Sequence, residues 1–310
     1  MTLTQLEYVI ALDTYHHFGL AAEKCSVTQP TLSMQVHKLE EELGVILFDR
    51  SRQPVIPTEV GAEIISQARQ ILAEAAKIKE IIADKTAELQ GELRMAIIPT
   101  LAPYLLPLFL PQFLQKYPKI KVKIQELTTE NIIYQLKNDL LDVGVLVTPL
   151  QDNNIQELPL FYEALVAYLS EHHLLLKEQE LKPEMIDLQQ VWLLQQGHCL
   201  RSQVLNICQR AAKNALPNLQ YESGNLETLR KFVEINGGMT FLPELATFDL
   251  SEEQMEKVRY FQAPEPVREV SLVTHRNFVK KRLIHALFQE IRLHIPQKMQ
   301  NSLGKKVTTL

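Results

Sequence analysis

Residues 18–44 read FGLAAEKCSVTQPTLSMQVHKLEEELG, and this stretch decides the fold of the first part of the chain. A short helix rich in small residues is followed by a tight turn at 26–28, where Thr28 is suited to cap a second helix. Apolar residues then recur on one face of the second helix: Leu32, Val36, Leu39 and Leu43. Gly44 is suited to end that helix. The stretch therefore predicts two helices joined by a tight turn.

The segments that follow predict two further parts of the 310-residue chain. From Glu59 to about Leu89 the apolar residues form a single stripe, which predicts one long helix that needs a partner to cover it. From Leu93 onward, strand patterns alternate with helix patterns, as is typical of an α/β fold with a parallel sheet. We expect the polar tail 301–310 to be frayed. The predicted domains are 1–58, 59–90 and 91–310.

Composition places the chain among soluble globular proteins, with 46% hydrophobic and 22% charged residues. The N-terminus shows no signal-peptide pattern because Glu7 and Asp13 interrupt it. The most apolar stretch, 101–114, contains three prolines and is too short to span a bilayer. We therefore expect a cytoplasmic protein with no membrane partner.

Charge by itself argues against nucleic-acid binding, since the net charge is −5 and residues 1–58 carry seven acidic against four basic residues. The second helix of the opening stretch nevertheless exposes short polar side chains suited to a DNA major groove. These outward residues are Thr31, Ser33, Met34, Gln35, His37 and Lys38. From the pattern alone, a DNA-binding helix-turn-helix and a plain helical hairpin in a core both remain open. Cys25 lies on the inner face and is expected to serve packing.

Two of the three cysteines lie close together in the segment 197–208, GHCLRSQVLNIC. In a regular helix, Cys199 and Cys208 would have Cα atoms roughly 13 Å apart, whereas a disulfide needs them within about 7 Å. The pair can bond only if the helix unwinds. Cys199 is expected to be an exposed thiol with a lowered pKa, because it would start the helix beside His198 and Arg201. Cys208 falls on the apolar face, where a small buried hydrophobe is the alternative interpretation.

The first 60 residues resemble the N-terminal domain of LysR-type transcriptional regulators. The matching residues are Phe18, Ala21-Ala22, 27–33 (VTQPTLS), Leu39-Glu40, Leu43-Gly44, Leu47-Phe48, Arg50, Thr58 and Gly61. The resemblance extends over the whole chain and implies a winged helix-turn-helix, a linker (dimerisation) helix and a two-lobed regulatory domain like periplasmic binding proteins. Lobe I would comprise about 91–163 and 267–300, and lobe II about 164–266.

The resemblance also implies partners and contacts for the first domain. The partners are double-stranded promoter DNA and further copies of the chain, which would form a homo-oligomer built as a dimer of dimers. The residues placed at the DNA are Gln29, Pro30, Thr31, Ser33, Gln35 and Lys38 in the second helix, with Arg50 and Arg52 in the wing against phosphate.

The second half resembles the peroxide-responsive members of that family. The residues that carry this are 98–100 (IPT), 103–107 (PYLLP), 197–201 (GHCLR), Cys208, 226–230 (LETLR) and 265–268 (EPVR), whereas Ser202 stands where those proteins often carry an acid. The resemblance implies hydrogen peroxide as the signal, Cys199 as the reactive thiol and Cys208 as its disulfide partner. It implies a peroxide pocket formed with Thr100, Thr129, His198 and Arg268.

RNA polymerase and a thiol reductant are implied as further partners of such a regulator, and we expect no cofactor, no metal and no enzymatic turnover. Three alternatives stay open. The chain could be a regulator of a small metabolite with silent cysteines, or a thiol peroxidase built on the α/β half. It could also be a solute-binding protein, although that class needs a signal peptide.

Overall fold

The computed structural model describes residues 1–83, 89–208, 224–276, 278, 280–301 and 305–308. The chain divides into two compact units. Unit 1 comprises Met1–Glu88 with Asn277–Lys280, and unit 2 comprises Leu89–Arg276 with Lys281–Leu310. None of the helices in the described part of the chain combines the length and the apolar composition that a bilayer crossing requires.

Unit 1 is a winged helix-turn-helix followed by a long helix, which confirms the predicted fold of this part. Its elements are α1 (Leu3–Tyr15), α2 (Phe18–Lys24), α3 (Gln29–Leu43), β1 (Phe48–Asp49), β2 (Ile56–Pro57) and α4 (Glu59–Ala83). The Thr28 hydroxyl accepts from the Thr31 N–H at the start of α3, and Gly44 ends α3 with a φ of +69°. The inward face of α3 is fully buried through Leu32, Val36 and Leu39.

The long helix begins at a close contact with the wing. The Thr58 hydroxyl accepts from the Gly61 N–H and donates to the Ile46 carbonyl oxygen at 2.8 Å. Glycine is required at position 61, because a Cβ there would lie 2.0 Å from the Leu47 carbonyl oxygen. The helix is described as far as Ala83, so the predicted continuation through 84–88 lies outside the described residues.

Unit 2 is an α/β domain around a large mixed sheet. Its strands are β3 (Gly91–Ile97), β4 (Ile120–Glu126), β5 (Val143–Thr148), β6 (Ile155–Leu169), β7 (Glu180–Leu181), β8 (Met239–Pro243), β9 (Val258–Phe261), β10 (Glu265–His275) and β11 (Lys305–Val307). Its α-helices are α5 (Ala102–Lys116), α6 (Thr129–Lys137), α7 (Cys199–Cys208), α8 (Leu226–Asn236), α9 (Glu252–Met255) and α10 (Lys281–His294). The strands run in the order β4-β3-β5-β10-β6-β9-β7, with β8 on β6 and β11 on β10.

The sheet is parallel only in part, which corrects the prediction of a parallel sheet. Strands β4, β3 and β5 are parallel, whereas β10 is antiparallel to both β5 and β6. The polar tail was also predicted wrongly in part: Lys305–Val307 pairs with β10, because the edge of that strand beside Glu265–Val267 offers backbone partners.

The topology brings several polar residues to one edge of the sheet. Thr100 lies in the loop that follows β3, and Thr129 is the first residue of α6, after β4. The carboxyl ends of parallel strands meet at the same edge, which is where open α/β sheets bind ligands. Arg268 lies on β10, directly opposite Glu163 of β6. This edge is the candidate site.

Candidate functional site

Both cysteines of the 197–208 segment lie in one unbroken helix, α7, which begins at Cys199 and ends at Cys208. Nine residues at a rise of about 1.5 Å separate their Cα atoms by roughly 13 Å. Cys25, Cys199 and Cys208 are all in the thiol form. A disulfide between the two ends of α7 therefore requires that this helix lose its form.

The Cys199 thiol is surrounded by hydrogen-bond donors and lies within the field of a positive charge. The Thr129 hydroxyl lies 4.0 Å from the Cys199 sulfur and donates to it. The N–H groups of Cys199 and Leu200 also hydrogen-bond to the sulfur, as expected at a helix N-terminus, and the Arg268 charge favours the thiolate.

Burial nevertheless has the largest effect on the pKa of this thiol. It raises the pKa of Cys199 above the ordinary value, even though Arg268, Thr129 and the backbone N–H groups all lower it. The prediction of an exposed thiol with a lowered pKa is therefore wrong. The reason is that Cys199 is only partly exposed and that burial outweighs the donors around its sulfur, which the local sequence around position 199 does not reveal.

The Arg268 guanidinium is fully buried and is held on two sides. Its Nε donates to Glu163 Oε2 at 2.8 Å, and its Nη2 lies 2.8 Å from the same oxygen. On the other side, Nη1 donates to the Thr100 hydroxyl at 3.1 Å and Nη2 donates to the Thr100 carbonyl at 3.2 Å. Arginine has five N–H donors. One N–H of Nη1 is left without an acceptor among the described residues.

Glu163 is a site residue that the sequence interpretation missed. Its second oxygen, Oε1, accepts from the Leu245 N–H at 2.8 Å. Burial raises the pKa of this carboxyl, while the Arg268 charge and the two hydrogen bonds lower it. A signal for it was present, since Glu163 is the one charged residue in the apolar run 160–169 (LFYEALVAYL). A buried acid of that kind calls for a cationic partner.

His198 and Arg201 do not have the electrostatic role that was expected of them. Burial lowers the pKa of His198, so the imidazole is neutral at pH 7. Arg201 donates from Nη1 to the Leu194 carbonyl oxygen at 2.9 Å. The positive charge that acts on Cys199 comes from Arg268, which lies 69 positions further along the chain. His198 itself lies directly before α7 and is 8% exposed.

A second polar contact joins α5, which follows the Thr100 loop, to α8. Tyr104, four residues after Thr100, donates its hydroxyl to Glu227 Oε1 at 2.9 Å. Arg230 donates to the other oxygen of Glu227 at 2.8 Å. Burial and the Glu227 charge raise the pKa of Tyr104, so its hydroxyl stays protonated and remains a donor. Both residues lie in segments that carry the family resemblance, 103–107 and 226–230, but the sequence alone does not reveal that they pair.

The inner face of α7 anchors the helix. Leu200, Val204, Ile207 and Cys208 are buried on this face. Gln203 is fully buried as well, and its Nε2 donates to the Thr308 hydroxyl at 3.2 Å and to the Thr308 carbonyl at 3.4 Å. Unwinding α7 must therefore break contacts with the strand at the C-terminal end of the described chain.

The candidate DNA-facing residues of unit 1 lie on the outer side of α3. Gln29, Pro30 and Lys38 are exposed, and Thr31, Ser33 and Gln35 are partly exposed. Gln35 accepts a hydrogen bond from Gln5 at 3.3 Å, which fixes its side chain.

The two arginines of the wing differ in how firmly their side chains are held. Arg50 pairs with the buried Glu40 and stacks over Phe18, with its charged group 5.4 Å from the ring centroid. Arg52 is 68% exposed and pairs at 3.2 Å with Asp49 on the surface. Surface ion pairs of this kind are weak, so Arg52 can turn to another anion.

No group of three or more His, Cys, Asp or Glu side chains with the geometry of a metal site occurs in the described ranges. The groups that meet at the candidate site are a thiol, hydroxyl groups and a guanidinium.

The raised pKa of Cys199 predicts the pH dependence of its reactivity. In a Cys25→Ser/Cys208→Ser variant, the alkylation rate of Cys199 should rise with pH to a midpoint above that of an unfolded cysteine, about 8.5. The reason is that burial holds the thiol protonated until higher pH. Arg268→Gln should move the midpoint further up, because it removes a charge that favours the thiolate. Rates of iodoacetamide reaction, with the denatured variant as reference, provide the measurement. A midpoint below the denatured reference would contradict the assignment.

Comparisons with known proteins identify the family of both parts of the chain. The family model "LysR substrate binding domain" matches residues 86–295, and "Bacterial regulatory helix-turn-helix protein, lysR family" matches residues 3–62. A "Hydrogen peroxide-inducible genes activator" of Haemophilus influenzae is 38% identical over 275 residues, which cover 88% of this chain and 90% of that protein.

Solved structures give the same result. Full-length OxyR of Pseudomonas aeruginosa, with one cysteine changed to aspartate, matches with a TM-score of 0.81 and 35% identity, covering 95% of this chain and 99% of that chain. A cysteine mutant of Corynebacterium glutamicum OxyR with hydrogen peroxide bound matches with a TM-score of 0.61 and 27% identity, covering 94% of this chain and 92% of that chain. The chain therefore belongs to the LysR family of bacterial helix-turn-helix regulatory proteins, within which it is similar to OxyR.

Proposed function

We propose that this regulator responds to hydrogen peroxide through a reversible disulfide between Cys199 and Cys208 and controls genes of the oxidative stress response. The observation that carries the proposal is a thiol, Cys199, that meets the Thr129 hydroxyl and the charge of Arg268, with the second thiol at the far end of the same helix. Arg268 in turn holds the Thr100 hydroxyl. The similarity to peroxide-inducible activators and to an OxyR solved with peroxide supports the choice of oxidant.

The first chemical step is attack of the Cys199 thiolate on one oxygen of hydrogen peroxide. An S–O bond forms, the O–O bond breaks, and the sulfur becomes a sulfenic acid. The leaving oxygen departs as hydroxide and takes up a proton to become water. The N–H of Arg268 Nη1 that has no acceptor among the described residues can donate to that oxygen as negative charge develops on it. The Thr100 hydroxyl, which accepts from Arg268, keeps its own proton to donate.

The second step forms the disulfide. The Cys208 thiolate attacks the Cys199 sulfur, an S–S bond replaces the S–O bond, and a second water leaves after protonation. Two thiols are oxidised by two electrons in total, and one peroxide is reduced to two waters. Because Cys208 lies one helix length away and is buried, this step waits until α7 unwinds. A cellular thiol reductant returns the disulfide to two thiols.

Unwinding of α7 supplies the conformational signal. It releases Gln203 from Thr308 and frees the apolar face of the helix, and unit 2 then repacks. We assign the chain to a homo-oligomer, a dimer of dimers in which the α4 helices of two copies pair. Val60 and Ile78 are exposed on α4, 47% and 65% respectively, and suit such pairing. Repacking of unit 2 would change how the copies contact one another.

The response to peroxide would be a change in transcription, because unit 1 binds promoter DNA. Helix α3 would enter the major groove with Gln29, Pro30, Thr31, Ser33, Gln35 and Lys38, and the wing would place Arg50 and Arg52 at phosphate. The net negative charge of residues 1–58 opposes DNA binding, but Lys38, Arg50 and Arg52 partly compensate for it, because they would lie close to phosphates. RNA polymerase would respond to the rearranged oligomer on the promoter.

The peroxide proposal predicts a defined product. Brief exposure of the purified protein to peroxide, followed by alkylation, digestion and mass spectrometry, should yield a peptide pair joined through Cys199 and Cys208. Cys208→Ser should stop at the sulfenic acid of Cys199, because the resolving thiol is gone. Cys25→Ser is the matched control and should form the disulfide normally. If both thiols stay alkylatable while transcription still responds to peroxide, the redox proposal is wrong.

The DNA proposal predicts a phosphate contact by Arg52. Arg52→Ala should weaken binding similarly for all sequences and reduce the slope of log K against log salt by about 0.9, because one phosphate is no longer neutralised. Lys182→Ala removes an exposed cation in unit 2 and serves as the control. Fluorescence anisotropy with labelled promoter DNA across a salt series gives both slopes. Equal slopes for Arg52→Ala and the unmodified protein would exclude the contact.

A further inference from the structure

Glu163 is the partner that determines where the Arg268 guanidinium lies. The two residues face each other across β6 and β10, and both side chains are fully buried. One carboxylate oxygen meets Nε and Nη2 of Arg268, and the other accepts from the Leu245 backbone N–H. The carboxylate is thus fixed by the sheet and by a backbone donor. It fixes in turn the edge of the guanidinium that it contacts.

The consequence appears on the opposite edge of the guanidinium. With one edge held by Glu163, Nη1 and Nη2 donate to the two oxygens of Thr100, and the second N–H of Nη1 has no acceptor among the described residues. A long arginine side chain without such a partner has several rotatable bonds, and its donors would not converge on one point. A group that must meet the leaving oxygen of peroxide requires positioning of this kind.

We infer that Glu163 is a positioning residue of the peroxide site, acting through Arg268 and not on the thiol directly. This inference rests on the proposed function, since it assigns Glu163 a role in the same reaction. The alternative role for Glu163 is simple charge compensation, in which a buried carboxylate keeps a buried guanidinium from destabilising the fold. The two roles predict different chemistry at Cys199.

Two reagents separate the roles, because only the reaction with peroxide needs an Arg268 donor at the leaving group. Hydrogen peroxide needs donors at its leaving oxygen, whereas iodoacetamide reports mainly how much thiolate is present and how accessible it is. Replacing Glu163 by a neutral residue leaves Arg268 with an unopposed positive charge, which favours the thiolate. If Arg268 loses its position, the reaction of Cys199 with peroxide therefore becomes slower. The reaction of Cys199 with iodoacetamide keeps its rate or becomes faster.

The experiment uses the full chain with Cys25→Ser and Cys208→Ser, so that both rate constants are those of Cys199, and measures the two on each preparation. Glu163→Gln should lower the ratio of the peroxide rate constant to the iodoacetamide rate constant by about 10- to 100-fold. The amide cannot replace the carboxylate, because it can accept from Arg268 or from Leu245 but not from both. Glu163→Asp keeps the charge but is too short to reach both partners, so it should also lower the ratio. If Glu163→Gln does not fold, the ratio measured for Glu163→Asp tests the inference.

Glu244→Gln is the matched control. Glu244 is buried beside Leu245 and pairs with Lys298, so its loss perturbs the same region without touching Arg268. Its ratio should equal that of the unmodified protein. Arg268→Gln should lower the ratio, and adding Glu163→Gln to it should lower it no further, because Glu163 acts through Arg268.

Two results would overturn the inference: an unchanged ratio in the Glu163 variants, or additive losses in the double variant. Failure of the unmodified protein to form the disulfide would instead refute the proposed function.

Discussion

One stretch of ten helical residues, α7, holds the two thiols of this regulator apart. Its two ends lie roughly 13 Å apart, about twice the Cα separation that a disulfide allows. The helix is anchored from within by an apolar face and by Gln203, which reaches the C-terminal strand at Thr308. Formation of the disulfide and unfolding of this helix are therefore one event in the proposed function. A bond between two sulfurs becomes a change of structure in unit 2.

The same burial that anchors α7 shapes the reactivity of Cys199. A raised thiol pKa lowers the fraction of thiolate, but the thiolate that forms is the better nucleophile, since nucleophilicity rises with pKa. In the proposed function, Thr100 and Arg268 supply donors for the leaving oxygen. Selectivity for a small peroxide would then come from the arrangement of these donors and not from a large population of thiolate. An electrophile that is too bulky for the site, or whose leaving group accepts no hydrogen bond, gains nothing from them.

Local patterns predicted the helical parts of this molecule well, because their signals lie within one element. The spacing of Leu32, Val36 and Leu39 is contained in α3, and the nine-residue separation of the cysteines is contained in α7. The pairing of Glu163 with Arg268 joins residues 105 positions apart and depends on the register of two strands. The pKa of Cys199 depends on burial by distant segments. Such properties belong to the folded sheet, and single-sequence patterns do not contain them.

Hydrogen exchange of the α7 amides tests the central claim most directly. The peptide covering 199–208 is followed by mass spectrometry before and after one equivalent of peroxide, with Cys208→Ser in parallel. Protection should be lost when the unmodified protein forms its disulfide and kept in Cys208→Ser, whose reaction stops at the sulfenic acid. A Cys199–Cys208 disulfide that forms while the α7 amides keep their protection would contradict that claim.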